Sequence, residues 1–151
     1  MSQDGGIELA TSLGYLLKEA SSALRVAMEE VLRPLGMNVT HYSCLELLAQ
    51  RPGLSNSELA RGAFVTRQSM NVLLKTLEAE GSVTRPVAAR VGKALPTRLT
   101  PRGRRRLDKA SAAVRSVEAR MLSGMTEADR SDALRILRSM VRSLREADDV
   151  R

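Results

Sequence analysis

The stretch LSNSELARGAFVTRQSMNVLLKTLEAEG, Leu54–Gly81, decides the fold, because it holds two helix starts separated by a turn of the length that a helix-turn-helix needs. Ser55 and Glu58 stand at Ser-x-x-Glu spacing, so hydroxyl and carboxylate can each accept a hydrogen bond from the other's free backbone N–H. Leu59, Ala60 and Ala63 give this first helix an apolar side, and the small Ala60 lets a second helix cross closely. After Gly62-Ala63-Phe64-Val65, Thr66 is placed to cap a second helix. In it Met70, Leu73, Leu74 and Leu77 recur at i, i+3, i+4 and i+7, the spacing of a buried stripe. Arg67, Gln68, Asn71 and Lys75 fall together on the other side. In an isolated helix such a side is ordinary solvated surface. The segment that follows reverses that reading.

Gly81 can end the second helix in a left-handed conformation. Beyond it, Val83–Val87 and Leu95–Leu99 are short β-favouring runs around residues 88–94, in the manner of a hairpin. Pro86 and Pro96 would spoil a central strand, which leaves an edge ribbon protruding as a wing. Arg85, Arg90, Lys93 and Arg98 place cations along it with no acid between Arg85 and Arg98, a composition suited to phosphate or minor-groove contact. On the second helix the chemistry is that of base reading: Arg bonds guanine O6 and N7 together, Gln and Asn bond adenine N6 and N7, and Lys holds phosphate. The candidate DNA contacts are therefore Ser55, Ser57, Thr66, Arg67, Gln68, Ser69, Asn71, Lys75, Arg85, Arg90, Lys93 and Arg98. Double-stranded DNA is the expected partner.

The order of parts resembles the MarR family of winged-helix transcriptional regulators. The residues that carry the resemblance are Leu59-Ala60, the Leu77-Glu78-x-x-Gly81 helix end, the basic wing, and Leu99-Thr100-x-x-Gly103 opening a long helix. Each is weak alone; their order and spacing together are specific. One feature departs from the family: many members carry an acid beside an arginine at the wing tip, and residues 88–93 here contain none. The fold class expected is mainly α with a small β wing. It would be one domain over residues 1–151, with a winged helix-turn-helix lobe at about 37–100 and a helical dimerisation lobe from about 7–34 and 101–147.

The terminal segments read as helices on their own pattern. From Ile7 to Leu32 apolar residues including Leu9, Leu13, Leu16, Leu17, Leu24 and Val31 recur at helical spacing until Pro34 and Gly36. A second long helix runs from about Pro101 to Leu122 and carries Leu107, Ala110, Val114, Val117 and Met121. Gly124 breaks it, and Thr126-x-x-Asp129 starts another with Leu134, Leu137, Met140, Val141 and Leu144 as its stripe. These helices have more apolar face than a small central lobe can cover, and such surplus marks a subunit interface. The resemblance implies a homodimer through them, with Leu9, Leu13, Leu16, Met121, Leu134, Leu137, Val141 and Leu144 at the interface. Two recognition helices one turn of DNA apart would then read a pseudo-palindrome.

The resemblance also implies a pocket for a small aromatic acid or phenolic effector. Met37, His41, Tyr42 and Cys44 are placed to line it with Leu16, and Lys18 and Arg25 could supply a cation from the partner subunit. Taken without the family, Tyr42 and Cys44 beside Leu45, Leu47 and Leu48 read as core, and a lone histidine on a helix reads as structural.

Composition bounds the remaining alternatives. Lys and Arg number 24 against 17 Asp and Glu, a formal net charge of +7 that draws the chain to polyanions and makes binding salt-dependent. Arg98, Arg102, Arg104, Arg105, Arg106 and Lys109 crowd the wing-to-helix junction. With one His, one Cys, no Gly-rich phosphate loop and no metal-ligand spacing, no catalytic constellation can be assembled, so neither an enzyme nor a metal or cofactor is expected. No apolar run approaches the roughly 18 residues of a membrane span, and no cationic leader opens the chain, so a cytoplasmic protein with no membrane partner is expected. The resemblance implies a sequence-specific homodimeric repressor released from a pseudo-palindromic operator by a small aromatic or phenolic ligand, and two rivals stand beside that reading: an architectural, sequence-tolerant DNA-binding protein, and a thiol-based redox sensor acting through Cys44. The second has little support, since that chemistry needs a stabilised thiolate and a resolving thiol.

Overall fold

The computed structural model describes residues 5–85 and 97–149. Among these residues it is mainly helical, with one two-stranded ribbon. The wing tip, with Arg90, Lys93, Pro86 and Pro96, lies outside the described residues. The chain divides into two compact units, Met1–Val117 and Glu118–Arg151.

In the first unit a short 3-10 turn, Leu9–Thr11, precedes α1, Leu13–Leu32. The helix therefore begins later than the apolar periodicity from Ile7 suggests. The reason is local: the Ser12 hydroxyl accepts from the Tyr15 amide at 3.2 Å and fixes the N-cap there. Pro34 and Gly36, with φ of 71° at the glycine, stop α1 through a second 3-10 turn, as the sequence implied. Helix α1 joins the core through its last turns, where Ala27 and Leu32 are buried and Met28 and Val31 pack against the core. Leu9, Leu13, Leu16 and Leu17 stand between 42% and 68% exposed.

Helix α2, Val39–Gln50, starts at a reciprocal cap in which Asn38 Oδ1 accepts from the His41 amide and His41 Nδ1 accepts from the Asn38 amide. Its buried residues Cys44, Leu45 and Leu48 join Leu32, Met37, Leu59, Ala60, Met70, Leu73, Leu74, Leu77, Val83, Leu107 and Ala110 in a single core. Helices α3, Asn56–Gly62, and α4, Arg67–Ala79, form the expected helix-turn-helix. Their caps are those read from sequence: Ser55 with Glu58, and Thr66 accepting from the Ser69 amide. The stripe Met70, Leu73, Leu74, Leu77 is buried throughout. Between the helices Phe64 has a φ of 60°, the left-handed region that costs a side chain with a Cβ about 1–2 kcal/mol.

Strands β1, Val83–Thr84, and β2, Arg98–Leu99, pair antiparallel with Val83 opposite Leu99 and Thr84 opposite Arg98. Helix α5, Pro101–Met121, follows at once. The Leu99-Thr100-x-x-Gly103 motif is the joint between them. The Thr100 amide donates to the Ser82 carbonyl at 3.0 Å, the Thr100 hydroxyl donates to the Gly81 carbonyl, and the Gly103 amide donates back to that hydroxyl at 3.0 Å. Arg106 adds charge-assisted bonds to Glu80 at 2.8 Å and to Ser82 Oγ at 2.6 Å.

In the second unit α6, Glu127–Asp149, begins at a Thr126–Asp129 box, each residue accepting from the other's amide. Leu134, Leu137, Val141 and Leu144 lie along it at 44–73% exposure. No helix among the described residues is long and apolar enough to cross a membrane.

Candidate nucleic-acid interface

Burial of Met70, Leu73, Leu74 and Leu77 fixes the rotation of α4 about its axis, and this presents Arg67, Gln68, Asn71 and Lys75 to solvent on one side, all exposed. Two of the four are braced from α3. Arg67 Nη1 reaches Ser57 Oγ at 3.5 Å, and Asn71 Oδ1 accepts from Asn56 Nδ2. The Asn71 oxygen keeps a second lone pair and its NH2 group is not used in that bond, so the brace fixes the amide plane without spending its capacity to bond an adenine edge. Asn56, fifteen residues from Asn71, was absent from the sequence-derived set.

The hydroxyls have prior duties. Ser55 Oγ accepts from the Glu58 amide at 3.2 Å, while Thr66 Oγ1 accepts from the Ser69 amide and donates to Ser69 Oγ, both at 3.0 Å. Val72, 62% exposed, was also missed. It lies off the buried stripe, at i+4 from Gln68 and i−3 from Lys75, and an exposed β-branched residue there is chemically suited to a thymine methyl. Its position off the stripe was the available signal.

Of the wing residues, Arg98 is exposed, whereas Arg85 is half-buried with its amide bonded to Glu78 at 3.2 Å and its Nε 3.9 Å from the same carboxylate. Arg90 and Lys93 fall outside the described residues. The basic run at the junction is not uniform. Arg102, Arg104, Arg105 and Lys109 are exposed, but Arg106 is turned to Glu80 and Ser82 and serves the joint rather than a solvated cationic face.

The expected effector contacts do not share one environment. Met37 and Cys44 are sealed in the core; Tyr42 and His41 are half-buried; Leu16, Lys18 and Arg25 are exposed on α1. A polar groove of about 360 Å³ between α2 and α5 is lined by other residues, among them Glu46, Gln50, Arg104, Asp108 and Arg115, with Ser111 donating to Glu46 at 2.8 Å. Cys44 Sγ is 3.8 Å from Met70 Sδ, and burial pushes its thiol up to about 12. With so little thiolate at neutral pH, the redox reading through Cys44 loses its chemical basis.

His41 sits below its ordinary value of 6.5, chiefly through burial, with Arg106 adding to the depression and Glu80 and Glu29 opposing it. Its Nδ1 accepts from the Asn38 amide, so the cap needs the neutral ring. A depressed histidine stabilises the fold in full above the unfolded value of 6.5, and that stability is lost as pH falls through the lower folded value. Thermal unfolding should therefore show a lower midpoint at about pH 5.5 than at about pH 7.5. His41→Gln, which keeps an acceptor at this cap position, should flatten that dependence; an unchanged slope would assign it elsewhere.

A model of the MarR family matches residues 35–94. The chain is 42% identical over 128 residues to the HTH-type transcriptional repressor Rv2887 of Mycobacterium tuberculosis, spanning 85% of this chain and 92% of the relative. The solved structure of Rv2887 with DNA is similar at a TM-score of 0.71 and 41% identity, covering 86% of this chain and 98% of that one. The structure of Rv2887 with salicylic acid is similar at 0.72 and 42%, covering 86% and 96%.

Proposed function

Because the chain belongs to the MarR family of transcriptional regulators, we propose that it is a homodimeric repressor that reads a pseudo-palindromic operator with α4 of each protomer and is released by a small aromatic or phenolic acid. The observation that carries this reading is the braced polar side of α4. Arg67 would bond a guanine, Gln68 and Asn71 adenines, Val72 a thymine methyl and Lys75 a phosphate. Ser55, Ser57, Thr66 and Ser69 would hold the backbone at the helix ends, and Arg85, Arg90, Lys93 and Arg98 would carry the wing along the duplex. Leu9 in the turn before α1, Leu13 and Leu16 on α1, Met121 on α5 and the α6 stripe would bury one another's exposed faces across the dimer.

Release would be a population shift: an effector that binds better to a conformer with wrongly spaced recognition helices draws the dimer off the operator. Met37, His41, Tyr42 and Cys44, with Leu16, Lys18 and Arg25, remain the residues assigned to that effector by family resemblance. Two of them, Met37 and Cys44, would have to come out of the core. Support for an acidic aromatic ligand comes from Rv2887, whose structure was solved with salicylic acid.

The test is a titration of the protein on the DNA upstream of its own coding sequence and on random duplex, at two salt concentrations, with and without salicylate. We expect a preference of about a hundredfold or more for the upstream DNA, weakened by salicylate. Arg67→Ala should cost about 1–3 kcal/mol on the preferred DNA and far less on random duplex. Equal, steeply salt-dependent binding to both duplexes would support an architectural protein instead.

A further inference from the structure

Phe64 is the only phenylalanine in the chain. It stands 86% exposed, more than any other large hydrophobic among the described residues, and it is the one non-glycine there with a positive φ. The turn that holds it is closed. The Phe64 amide donates to the Arg61 carbonyl at 3.3 Å, and the Val65 amide donates to the Ala60 carbonyl at 3.0 Å. A left-handed position favours glycine, because a Cβ there meets the following carbonyl, and an apolar ring left in water forgoes the gain of burial. Both penalties fall on one side chain, and it takes no part in the core that receives its neighbours Ala63 and Val65.

Its surroundings indicate what would cover it. Thr66, the cap of α4, follows two residues later, so the ring sits at the end of the helix that would enter the groove. Exposed Arg61 precedes it and exposed Arg67 follows, and Thr66, Gln68 and Ser69 beside it are polar and exposed. An apolar ring with a cation three residues to either side in sequence fits a partner that is anionic yet has apolar facets, which is the edge of a DNA groove with deoxyribose and thymine methyl set between phosphates. An aromatic ring among arginines would also suit a protein surface, but this one directly precedes the helix whose exposed side carries Arg67, Gln68, Asn71 and Lys75, the chemistry of base and phosphate contact, and that favours DNA.

We propose that Phe64 is an apolar DNA contact, its ring packing on deoxyribose or on a thymine 5-methyl at the groove edge beside the start of α4. This rests on α4 being the recognition helix, and the experiment separates the two ideas. Wild type, Phe64→Gly and Arg67→Ala are titrated on the preferred upstream duplex and on the same duplex with uracil in place of thymine. Glycine suits the left-handed backbone, so the thermal midpoint of Phe64→Gly should not fall. Phe64→Asn, whose residue also tolerates that conformation, serves as a second ringless variant.

Both ringless variants should bind the thymine duplex about tenfold more weakly than wild type. A loss of the same size on the uracil duplex assigns the contact to deoxyribose; a loss that shrinks there assigns it to the methyl. Undiminished affinity of both variants on both duplexes overturns the proposal. If Arg67→Ala still loses specific binding in that case, only the Phe64 contact fails. If it too loses nothing, the recognition-helix reading fails with it.

Discussion

Gly103→Ala should destabilise the first unit by about 3 kcal/mol, at the upper end of what overpacking costs. A Cβ built on Gly103 lies 2.0 Å from the Ser82 carbonyl oxygen and 2.9 Å from its carbon, both of them backbone. Backbone cannot swing aside as a side-chain terminus can. Ser82 is moreover held in place, because its carbonyl accepts from Thr100, its amide donates to Leu77 and its hydroxyl accepts from Arg106. Relief therefore requires α5 to lift off Ser82 and break the Thr100 and Arg106 bonds together. Denaturant unfolding would measure the loss, with Gly124→Ala as control, since a Cβ there meets nothing within 4 Å. A shift for Gly103→Ala no larger than for Gly124→Ala would mean that the joint yields without cost. Because this joint also sets where the ribbon leaves the fold, DNA affinity should fall along with stability.

The second large effect is expected of Leu137→Asp on α6. Leu134, Leu137, Val141 and Leu144 follow at three-, four- and three-residue steps, a seam suited to a facing helix, and all are exposed in the single chain. If the seam is a subunit interface, a carboxylate at its middle must be desolvated without a partner, which the assembly avoids by coming apart. The variant should sediment as a monomer at micromolar concentration. It should bind the operator about a hundredfold to ten-thousandfold more weakly, since the second recognition helix then no longer binds as a tethered partner. Its helix content should be unchanged, because position 137 faces water in the lone chain. A Leu137→Asp protein that remains dimeric would remove α6 from the interface.

What the sequence made legible is what short-range chemistry determines. The Ser55–Glu58 and Thr66–Ser69 caps join residues three apart, and the α4 stripe repeats within two turns, so both could be read without knowing the tertiary structure. The start of α1 was misplaced because apolar periodicity continues through Leu9, while the Ser12 hydroxyl decides where the helix begins. The Asn56–Asn71 brace and the Arg106 bonds to Glu80 and Ser82 link residues 15 to 26 apart and depend on how helices cross, which no local pattern encodes. Phe64 escaped for the opposite reason. Propensity places glycine or asparagine at a left-handed turn, so a phenylalanine there is the residue that local reasoning is least able to expect.

The two helices of the motif differ in the charge at their starts. Helix α3 carries Glu58 in its first turn, a carboxylate at the positive end of its peptide dipoles. Helix α4 has no acid there and opens on Arg67 instead, a cation where the dipole is already positive. The free protein thus holds an electrostatic tension at the tip of α4 that a polyanion relieves, within a chain whose net charge of +7 repels itself. Dissolved ions should accordingly act in opposite senses on the two states, calming the unbound helix tip while competing for the phosphates that would otherwise neutralise it.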